Sequence, residues 1–368
     1  MSGNLFARRR LLPLALLLAS GWLAACAPAA APPAPVARSG APAAAAPPSG
    51  PAPAAAPAAT PAPIKVNMVF SSRSANTTPL FVAAEQGYLT QQGLDVELAF
   101  ISSTTAGQAL IANSVQLGLI GAEGIDMNLE AGSPLTKYVA AVTPKLVFNL
   151  VGHPDLSGVQ DLRGKIVAAT RQGSVSDYAA RKVLQQHGLQ PDTDVAFTYP
   201  GTSEASLAAL LAGHIHAMPA GIPADLTAVE QGMKVLVEIE RQNIPFLMAG
   251  VIVRTDYAAA NPDVIERYLR AHLQGVATTL RDPETAMTAM GKYLQNEDRR
   301  LLRYAYDVYR PSWSRDQLMP EDTIAATLAE SRKPGARTAA LTDFYDNSFL
   351  ERIKASGYVD RLYADPPR

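Results

Sequence analysis

Short apolar runs alternate with helical patterns twice along this chain, and this alternation constrains the fold more than any other feature. The first series extends from the run Ile64 to Phe70 to the run Leu135 to Val142. The second series begins with Lys165 to Thr170 and ends with Val235 to Glu240. Strands that alternate with helices through short polar loops form parallel βαβ units. The sequence therefore predicts an α/β fold with two lobes, each a mainly parallel sheet flanked by helices.

The chain is expected to cross between the two lobes twice. Phe246 to Arg254 is predicted to be a strand that returns to the first lobe, and the segment after Pro262 has a helical pattern. Residues 64–153 and 246–368 are expected to form lobe I with the C-terminal helices, and residues 154–245 to form lobe II. A hinge between two α/β lobes places a ligand cleft at the carboxyl ends of the strands.

The N-terminus has the pattern of an export signal. Three arginines at residues 8–10 precede the apolar run Leu11 to Leu23, which is shorter than the about 20 residues that span a bilayer. Leu23-Ala24-Ala25-Cys26 resembles a bacterial lipobox, in which the cysteine is diacylated and becomes the mature N-terminus. Residues 1–25 are therefore predicted to be a lipoprotein signal peptide, and Cys26 the lipidation site. The alternative is an ordinary secretory signal that is removed together with Cys26.

Residues 27–63 are almost entirely Ala and Pro. Such a composition cannot bury enough apolar surface to fold, and frequent prolines keep a chain extended. Residues 26–63 are thus predicted to be the lipid-anchor cysteine followed by a disordered linker. This linker would hold the folded body away from a membrane surface.

Charge and motif content argue against several functions. The formal net charge of −1 provides no field that would hold nucleic acid. No Gly-x-Ser-x-Gly motif or plausible Ser/His/Asp set occurs, so we expect no catalysis and no cofactor. His214 and His216 would lie on one side of a strand, but no third metal ligand stands at suitable spacing. A structural or exposed role is expected for both histidines.

Several short motifs follow one another in a fixed order. They are Pro79 to Leu89, Gln92 to Val96, Asp161 to Lys165, Gly173 to Tyr178 and Asn261 to Val264. Over roughly residues 64–310, their order and spacing resemble the nitrate, sulfonate and taurine group of ABC-transporter substrate-binding proteins, which also includes thiamine-pyrimidine binders. The chain departs from that group at Ser114 and Gln116, where Gly and Asp are usual, and at His216, where Asp is common.

The resemblance implies a two-lobed periplasmic-binding-protein fold of type II. It also implies an extracytoplasmic, monomeric solute-binding lipoprotein, anchored to the cell membrane on its outer or periplasmic side, which delivers its ligand to ABC permease subunits. The expected ligand is a small polar organic molecule or anion: a sulfonate, taurine, nitrate, or a related carboxylate or heterocycle. The alternatives are an enzyme on the same fold, of the pyrimidine- or menaquinone-precursor type, and a surface lipoprotein without a transport role.

The candidate ligand-binding residues lie in the loops and helix starts that follow the predicted strands. Most of them carry hydroxyl groups or are glycines. Main-chain N–H groups at helix starts favour anions, although each Ser or Thr has the alternative role of capping its own helix. The candidates are Ser71, Ser72, Arg73, Thr77, Thr78, Ser102, Ser103, Thr104, Glu123, Thr143, Arg171, Gly173, Ser174, Ser176, Thr202 and Gly221.

The charged candidates favour opposite ligands. Glu123 would call for an amine or a protonated heterocycle, unless it only stabilises the first turn of its helix. Arg73 and Arg171 each follow a strand and could bind an anionic head group. A zwitterion such as a taurine-like molecule would satisfy both charges.

Overall fold

A computed structural model describes residues 62–101 and 103–364. Cys26, the predicted signal peptide and nearly all of the predicted linker lie outside these residues. The described part contains ten strands. They are β1 (Ile64–Phe70), β2 (Leu94–Phe100), β3 (Leu117–Ile120), β4 (Thr136–Lys145), β5 (Phe148–Gly152), β6 (Ile166–Ala168), β7 (Ala196–Thr198), β8 (Ala217–Gly221), β9 (Lys234–Val237) and β10 (Pro245–Arg254).

Fourteen α-helices connect and cover these strands within the same residues. They are α1 (Thr78–Glu85), α2 (Tyr88–Gln91), α3 (Ser103–Ile111), α4 (Glu123–Ala131), α5 (Val175–Gln186), α6 (Ser203–Leu211), α7 (Ala224–Glu230), α8 (Thr255–Ala260), α9 (Pro262–Arg281), α10 (Pro283–Leu294), α11 (Arg299–Tyr309), α12 (Glu321–Glu330), α13 (Ser348–Ala355) and α14 (Tyr358–Tyr363). None of these helices is long and apolar enough to cross a membrane.

The strands form two five-stranded sheets with the same internal pattern. The first sheet has the order β2-β1-β3-β10-β4, and the second has the order β7-β6-β8-β5-β9. In the first sheet β1 is parallel to β2 and β3, and in the second β6 is parallel to β7 and β8. The predicted α/β class is confirmed, and helices flank both sheets.

The fourth position of each sheet belongs to a strand that arrives from the other sheet. β5 follows β4 directly and lies antiparallel to β8 and β9, and β10 follows β9 and lies antiparallel to β3 and β4. Each sheet is consequently mixed but mainly parallel, as predicted, because four of its five strands run in one direction. The one antiparallel strand of each sheet arises because a chain that crosses straight to a facing sheet enters it in the opposite direction.

β5 is the strand that the sequence analysis does not predict. It pairs only within the second sheet, with Phe148 opposite Gly221, although the predicted boundary between the lobes falls after residue 153. The residue bounds of the two lobes stay a prediction, while the strand pairing places the change of sheet between β4 and β5.

Apolar side chains cover both faces of each sheet. In the first sheet, one cluster joins β1, β3 and β10 to α1, α9 and α10, and a second joins the opposite face to α3, α4 and α12. The close packing of α9 on α1 depends on Gly275, because a Cβ there would lie 2.2 Å from the Pro79 carbonyl oxygen.

The C-terminal segment, which carries no recognisable motif, protects an edge of the first sheet. The Tyr138 amide of β4 donates to the Phe344 carbonyl at 2.8 Å, and the Ala141 amide donates to the Gln317 carbonyl at 2.8 Å. These bonds satisfy main-chain groups on an edge strand that would otherwise be open to pairing with another chain.

Candidate functional site

The carboxyl edges of the two sheets face and contact each other. β4 ends and β5 begins at these edges, with Leu146 and Val147 between them. Ile222, in the loop after β8, is buried in the apolar cluster of the first sheet. Gly121, after β3, permits close approach of the second sheet, because a Cβ there would lie 3.1 Å from Val175 Cγ2. Loops from both sheets therefore share one interface.

An ion pair crosses this interface. Arg171, after β6 of the second sheet, places its Nη2 3.8 Å from Oε1 of Glu123, which begins α4 after β3 of the first sheet. Both side chains are half-buried, and Glu123 Oε2 is buried without a hydrogen-bond partner. From the sequence, these charges are expected to favour opposite ligands, whereas the structure pairs them with each other.

The hydroxyls that follow β1 bond mainly to their own loop. Thr77 Oγ1 donates to the Ser74 carbonyl at 2.6 Å, and Thr78 Oγ1 donates to the Ala75 carbonyl at 2.7 Å. Both threonines are fully buried, and Ser71 and Ser72 are half-buried in the same loop. These threonines shape the start of α1, which is the local role that the sequence leaves open as an alternative.

The loop after β6 contains a closed hydroxyl cluster. Ser174 caps α5, donates to the Arg171 carbonyl at 2.7 Å and accepts from Thr170 Oγ1 at 3.0 Å. Ser176 Oγ accepts from the Thr170 amide at 3.0 Å. Gly173 has a φ of +76°, which favours glycine, and its amide donates to Asp177 Oδ2 at 2.9 Å. These groups largely satisfy one another.

The remaining candidates are dispersed. Arg73 is exposed, bonds to Gln295 at 3.3 Å and lies 4.7 Å from the Phe100 ring centroid. Thr202 caps α6 by accepting from the Ala205 amide at 3.1 Å. Thr143 is buried near the end of β4, and its Oγ1 has no hydrogen-bond partner. The other candidates are Gly221 at the end of β8, Ser103 and Thr104 in the first turn of α3, and Ser102, which lies outside the described residues.

A buried polar group that the sequence analysis misses lies at the same interface. Asp225, in the first turn of α7 after β8, is 1% exposed. Its Oδ2 accepts from Asn149 Nδ2 at 2.8 Å and from the Tyr304 hydroxyl at 2.6 Å. Burial raises the pKa of Asp225 above its ordinary value, against hydrogen bonds from Tyr304, Asn149 and nearby main-chain amides that lower it.

This group joins three distant parts of the chain. Asn149 lies on the unpredicted strand β5, and Tyr304 lies on α11 in the C-terminal segment. α11 also contacts the loop after β1, where Ser74 Oγ lies 3.2 Å from the Tyr309 hydroxyl. The only local signal is an acid in the first turn of a helix that follows a strand, and such an acid commonly just stabilises its helix.

The departures from the family pattern have structural roles in both lobes. Gln116 Oε1 accepts from the Asn67 amide of β1 at 2.8 Å, and His216 Nδ1 accepts from the Ile166 amide of β6 at 3.2 Å. Each side chain thus ties the start of one strand to its parallel neighbour. Within residues 62–101 and 103–364, no three His, Cys, Asp or Glu side chains are grouped so as to hold a metal ion.

Two shallow surface depressions lie away from this interface. One is lined by Tyr88, Gln274 and Arg281 beside α9, and the other by Lys137, Glu321 and Tyr345 beside the end of the chain. Neither combines residues of both sheets. The interface between the carboxyl edges is thus the better candidate site.

Comparison with known sequences places the chain near one family. The family model described as "NMT1/THI5 like" matches residues 74–286. The riboflavin-binding protein RibY of Chloroflexus aurantiacus is 23% identical over 252 residues, which cover 65% of this chain and 69% of RibY. The putative binding protein YtlA of Bacillus subtilis is 26% identical over 139 residues, which cover 36% of this chain and 40% of YtlA.

Solved structures share the fold at low identity. The periplasmic aliphatic sulphonate binding protein SsuA of Escherichia coli has a TM-score of 0.58 and 20% identity, covering 68% of this chain and 85% of SsuA. The periplasmic nitrate-binding protein NrtA of Synechocystis PCC 6803 has a TM-score of 0.62 and 14% identity, covering 83% of this chain and 92% of NrtA. At these identities, the similarity establishes the periplasmic-binding-protein fold.

Proposed function

Because the chain belongs to the NMT1/THI5-like family, we propose that it is an exported, lipid-anchored solute-binding protein of an ABC importer. It takes up a small polar molecule between its two sheets and presents it to the permease subunits. The observation that carries this proposal is the interface between the two carboxyl edges, where loops of both sheets meet and Glu123 pairs with Arg171. Ligands of open α/β sheets bind at such edges.

The proposed mechanism is closure of the two lobes about the crossings β4–β5 and β9–β10. Closure on a ligand draws its free energy from contacts that exist only in the closed arrangement. The segments that would supply these contacts are residues 71–78, 121–124, 171–176 and 221–225. The proposed role is binding and release, without a catalytic step.

The proposed ligand is a small polar organic molecule or anion. Proteins similar to this chain are named as binding aliphatic sulphonates, nitrate and riboflavin. The first compounds to test for binding are therefore sulfonates, taurine, nitrate, carboxylates and nitrogen heterocycles.

A thermal-shift panel on the full-length chain in detergent tests the binding role. A ligand at 100 times its dissociation constant stabilises the protein by about 2.7 kcal/mol, which raises the melting temperature measurably. One saturable hit supports the proposal. If no class of compound raises the melting temperature of a folded, monodisperse sample, the result would argue against the proposal.

Fractionation of expressing bacterial cells tests the anchor separately. The wild-type chain is expected in the membrane fraction, and Cys26→Ser is expected to lose acylation and that location. An Ala27→Ser variant is the matched control, because it alters the neighbouring residue and leaves the thiol in place. Membrane association that survives Cys26→Ser would contradict lipidation at this cysteine.

A further inference from the structure

Asp225 is a buried carboxylate that has no cationic partner in the described part of the chain. Its two side-chain donors, Asn149 and Tyr304, are both neutral. The ion pairs formed within residues 62–101 and 103–364 do not include it: the nearby Arg300 of α11 pairs instead with Glu230 and Asp298. A buried carboxylate without a cation is costly, and proteins usually pair such groups.

Asp177 shows how the same type of residue is satisfied elsewhere in the second lobe. It also lies in the first turn of a helix that follows a strand, and it is 3% exposed. Its Oδ1 accepts a hydrogen bond from Arg181 Nε at 2.8 Å, and its Oδ2 accepts one from the Gly173 amide at 2.9 Å. Both oxygens of Asp177 therefore have donors of good geometry, whereas no side chain donates to Asp225 Oδ1.

The unpaired atoms of Asp225 and of the Asn149 amide bonded to it are hydrogen-bond acceptors. Asn149 uses its Nδ2 on Asp225, which fixes the orientation of the amide because the reverse orientation would place two oxygens together. Asn149 Oδ1 is then left buried without a partner. Asn76 Oδ1, in the loop that contacts α11, is also buried and unpaired. Acceptors cannot satisfy one another, so the missing groups are donors.

Several donors at this interface are already engaged, while the hydroxyl of Thr143 is buried without a partner. Arg171 pairs with Glu123, and the hydroxyls of Thr77 and Thr78 donate to main-chain carbonyls. The Tyr304 hydroxyl donates to Asp225 itself. An entering sulfonate or nitrate would add more acceptors beside an unpaired carboxylate oxygen.

We infer that the ligand carries a cationic nitrogen group, a protonated amine or amidine, which donates hydrogen bonds to Asp225 Oδ1 and Asn149 Oδ1. This inference rests on the proposed solute-binding function and names the ligand chemistry of that same site. Asp225 supplies the charge, Asn149 fixes its orientation from β5, and Tyr304 holds the carboxylate from α11. Asn149 and Asp225 both belong to the second lobe, whereas α11 packs on the first sheet, so closure brings Tyr304 to the carboxylate and couples recognition of the cation to closure.

The first test measures the ligand-free protein. Asp225→Asn keeps an oxygen for Asn149 and Tyr304 and removes the unpaired charge, so it is expected to raise the melting temperature of the full-length chain by about 2 °C or more. The matched Asp177→Asn variant breaks an ion pair and is expected to lower it by about 5 °C or more. A decrease for both variants would overturn the inference, since Asp225 would then be a structural carboxylate.

The second test compares matched compounds by calorimetry with wild type and Asp225→Asn. Short-alkyl, phenyl and pyrimidine skeletons are each tested with an ammonium or amidinium group and with a sulfonate or carboxylate group. The cationic series is expected to contain the ligands, and Asp225→Asn to weaken them by about 30-fold or more. Selective binding of the anionic series would overturn the inference and leave the solute-binding function in place. Binding of neither series would overturn both.

Discussion

Replacing Arg171 with methionine is expected to shift the chain towards an open arrangement of its two sheets. Methionine retains most of the length of the side chain and removes the charge that faces Glu123 across the interface. Glu123 Oε2 already lacks a hydrogen-bond partner. The substitution would remove the cation that faces the Glu123 carboxylate in the closed arrangement, so the closed arrangement would lose stability. The open arrangement would not, because water hydrates Glu123 there.

The size of the effect follows from distance and exposure. Two unit charges about 4 Å apart attract by about 4 kcal/mol at an effective dielectric constant of about 20, and the pair here is separated by 3.8 Å. Arg171 is 37% exposed and Glu123 21%, so solvent screening and side-chain entropy remove most of this attraction. Partly exposed pairs retain about 1 kcal/mol, which corresponds to about a fivefold change in the ratio of closed to open molecules.

The two partners are not equivalent. Glu123→Gln leaves Arg171, which is the more exposed side chain and is readily hydrated, whereas Arg171→Met leaves the more buried carboxylate. Arg171→Met is therefore expected to have the larger effect, and the double variant to cost less than the sum of the single variants.

The assay is single-molecule energy transfer between dyes on the exposed positions Ser133 and Glu204, which lie on opposite sides of the interface. The closed fraction of the ligand-free protein gives the equilibrium directly, and a double-mutant cycle gives the coupling energy. Lys354→Met is the control, because Lys354 and Asp316 form a pair of similar exposure that does not cross the interface. Strictly additive effects, or equal changes in the control, would refute this account of the ion pair.

Two further predictions concern stability. Gly275→Ala is expected to lower the free energy of unfolding, measured by urea denaturation, by about 2–3 kcal/mol, because the new Cβ would meet the Pro79 carbonyl oxygen. Gly158→Ala is the control and should change stability little, because there is open space around Gly158. Equal losses for the two variants would contradict the packing argument. Burial lowers the pKa of His272 to about 4 in the folded protein, whereas the pKa in the unfolded chain is near 6.5. Because the unfolded chain binds the proton more readily, the free energy of unfolding should fall by up to about 3 kcal/mol as the pH drops from about 6.5 to 4. His272→Gln should lose this slope between pH 7 and 5, whereas the more exposed His153→Gln should keep it; an unchanged slope in His272→Gln would place the titration elsewhere.

The regular strands and helices could be predicted because each has a local signal. β1 and β10 are apolar runs between polar loops, and α9 and α10 begin at Pro262 and Pro283, where proline is favoured. β5 could not be separated from β4, because only Leu146 and Val147 lie between them and both are buried and apolar. The crossing between the sheets therefore has no Gly, Asn, Asp or Ser that would signal a turn.

The candidate loops were also predictable, but the engagement of their side chains was not. The hydroxyls of Thr77, Thr78 and Ser174 lie in the predicted loops and bond to carbonyls within four residues. A sequence shows that such a hydroxyl is present, but it does not show whether the hydroxyl forms its hydrogen bond within its own loop. The family resemblance of the chain is confirmed, while the contact of these loops with a ligand stays a prediction.

Asp177 and Asp225 show where a reading of the sequence reaches its limit. Both are first-turn acids in helices of the second lobe, and their local patterns are alike. The partner of Asp177 is Arg181, four residues further along the same helix, so the pair is visible in the sequence. Asp225 is held by Tyr304, 79 residues away, and by Asn149, 76 residues away. A binding site is a place where distant segments converge and leave polar groups for the ligand to satisfy, so its defining residues are those that local patterns leave unexplained.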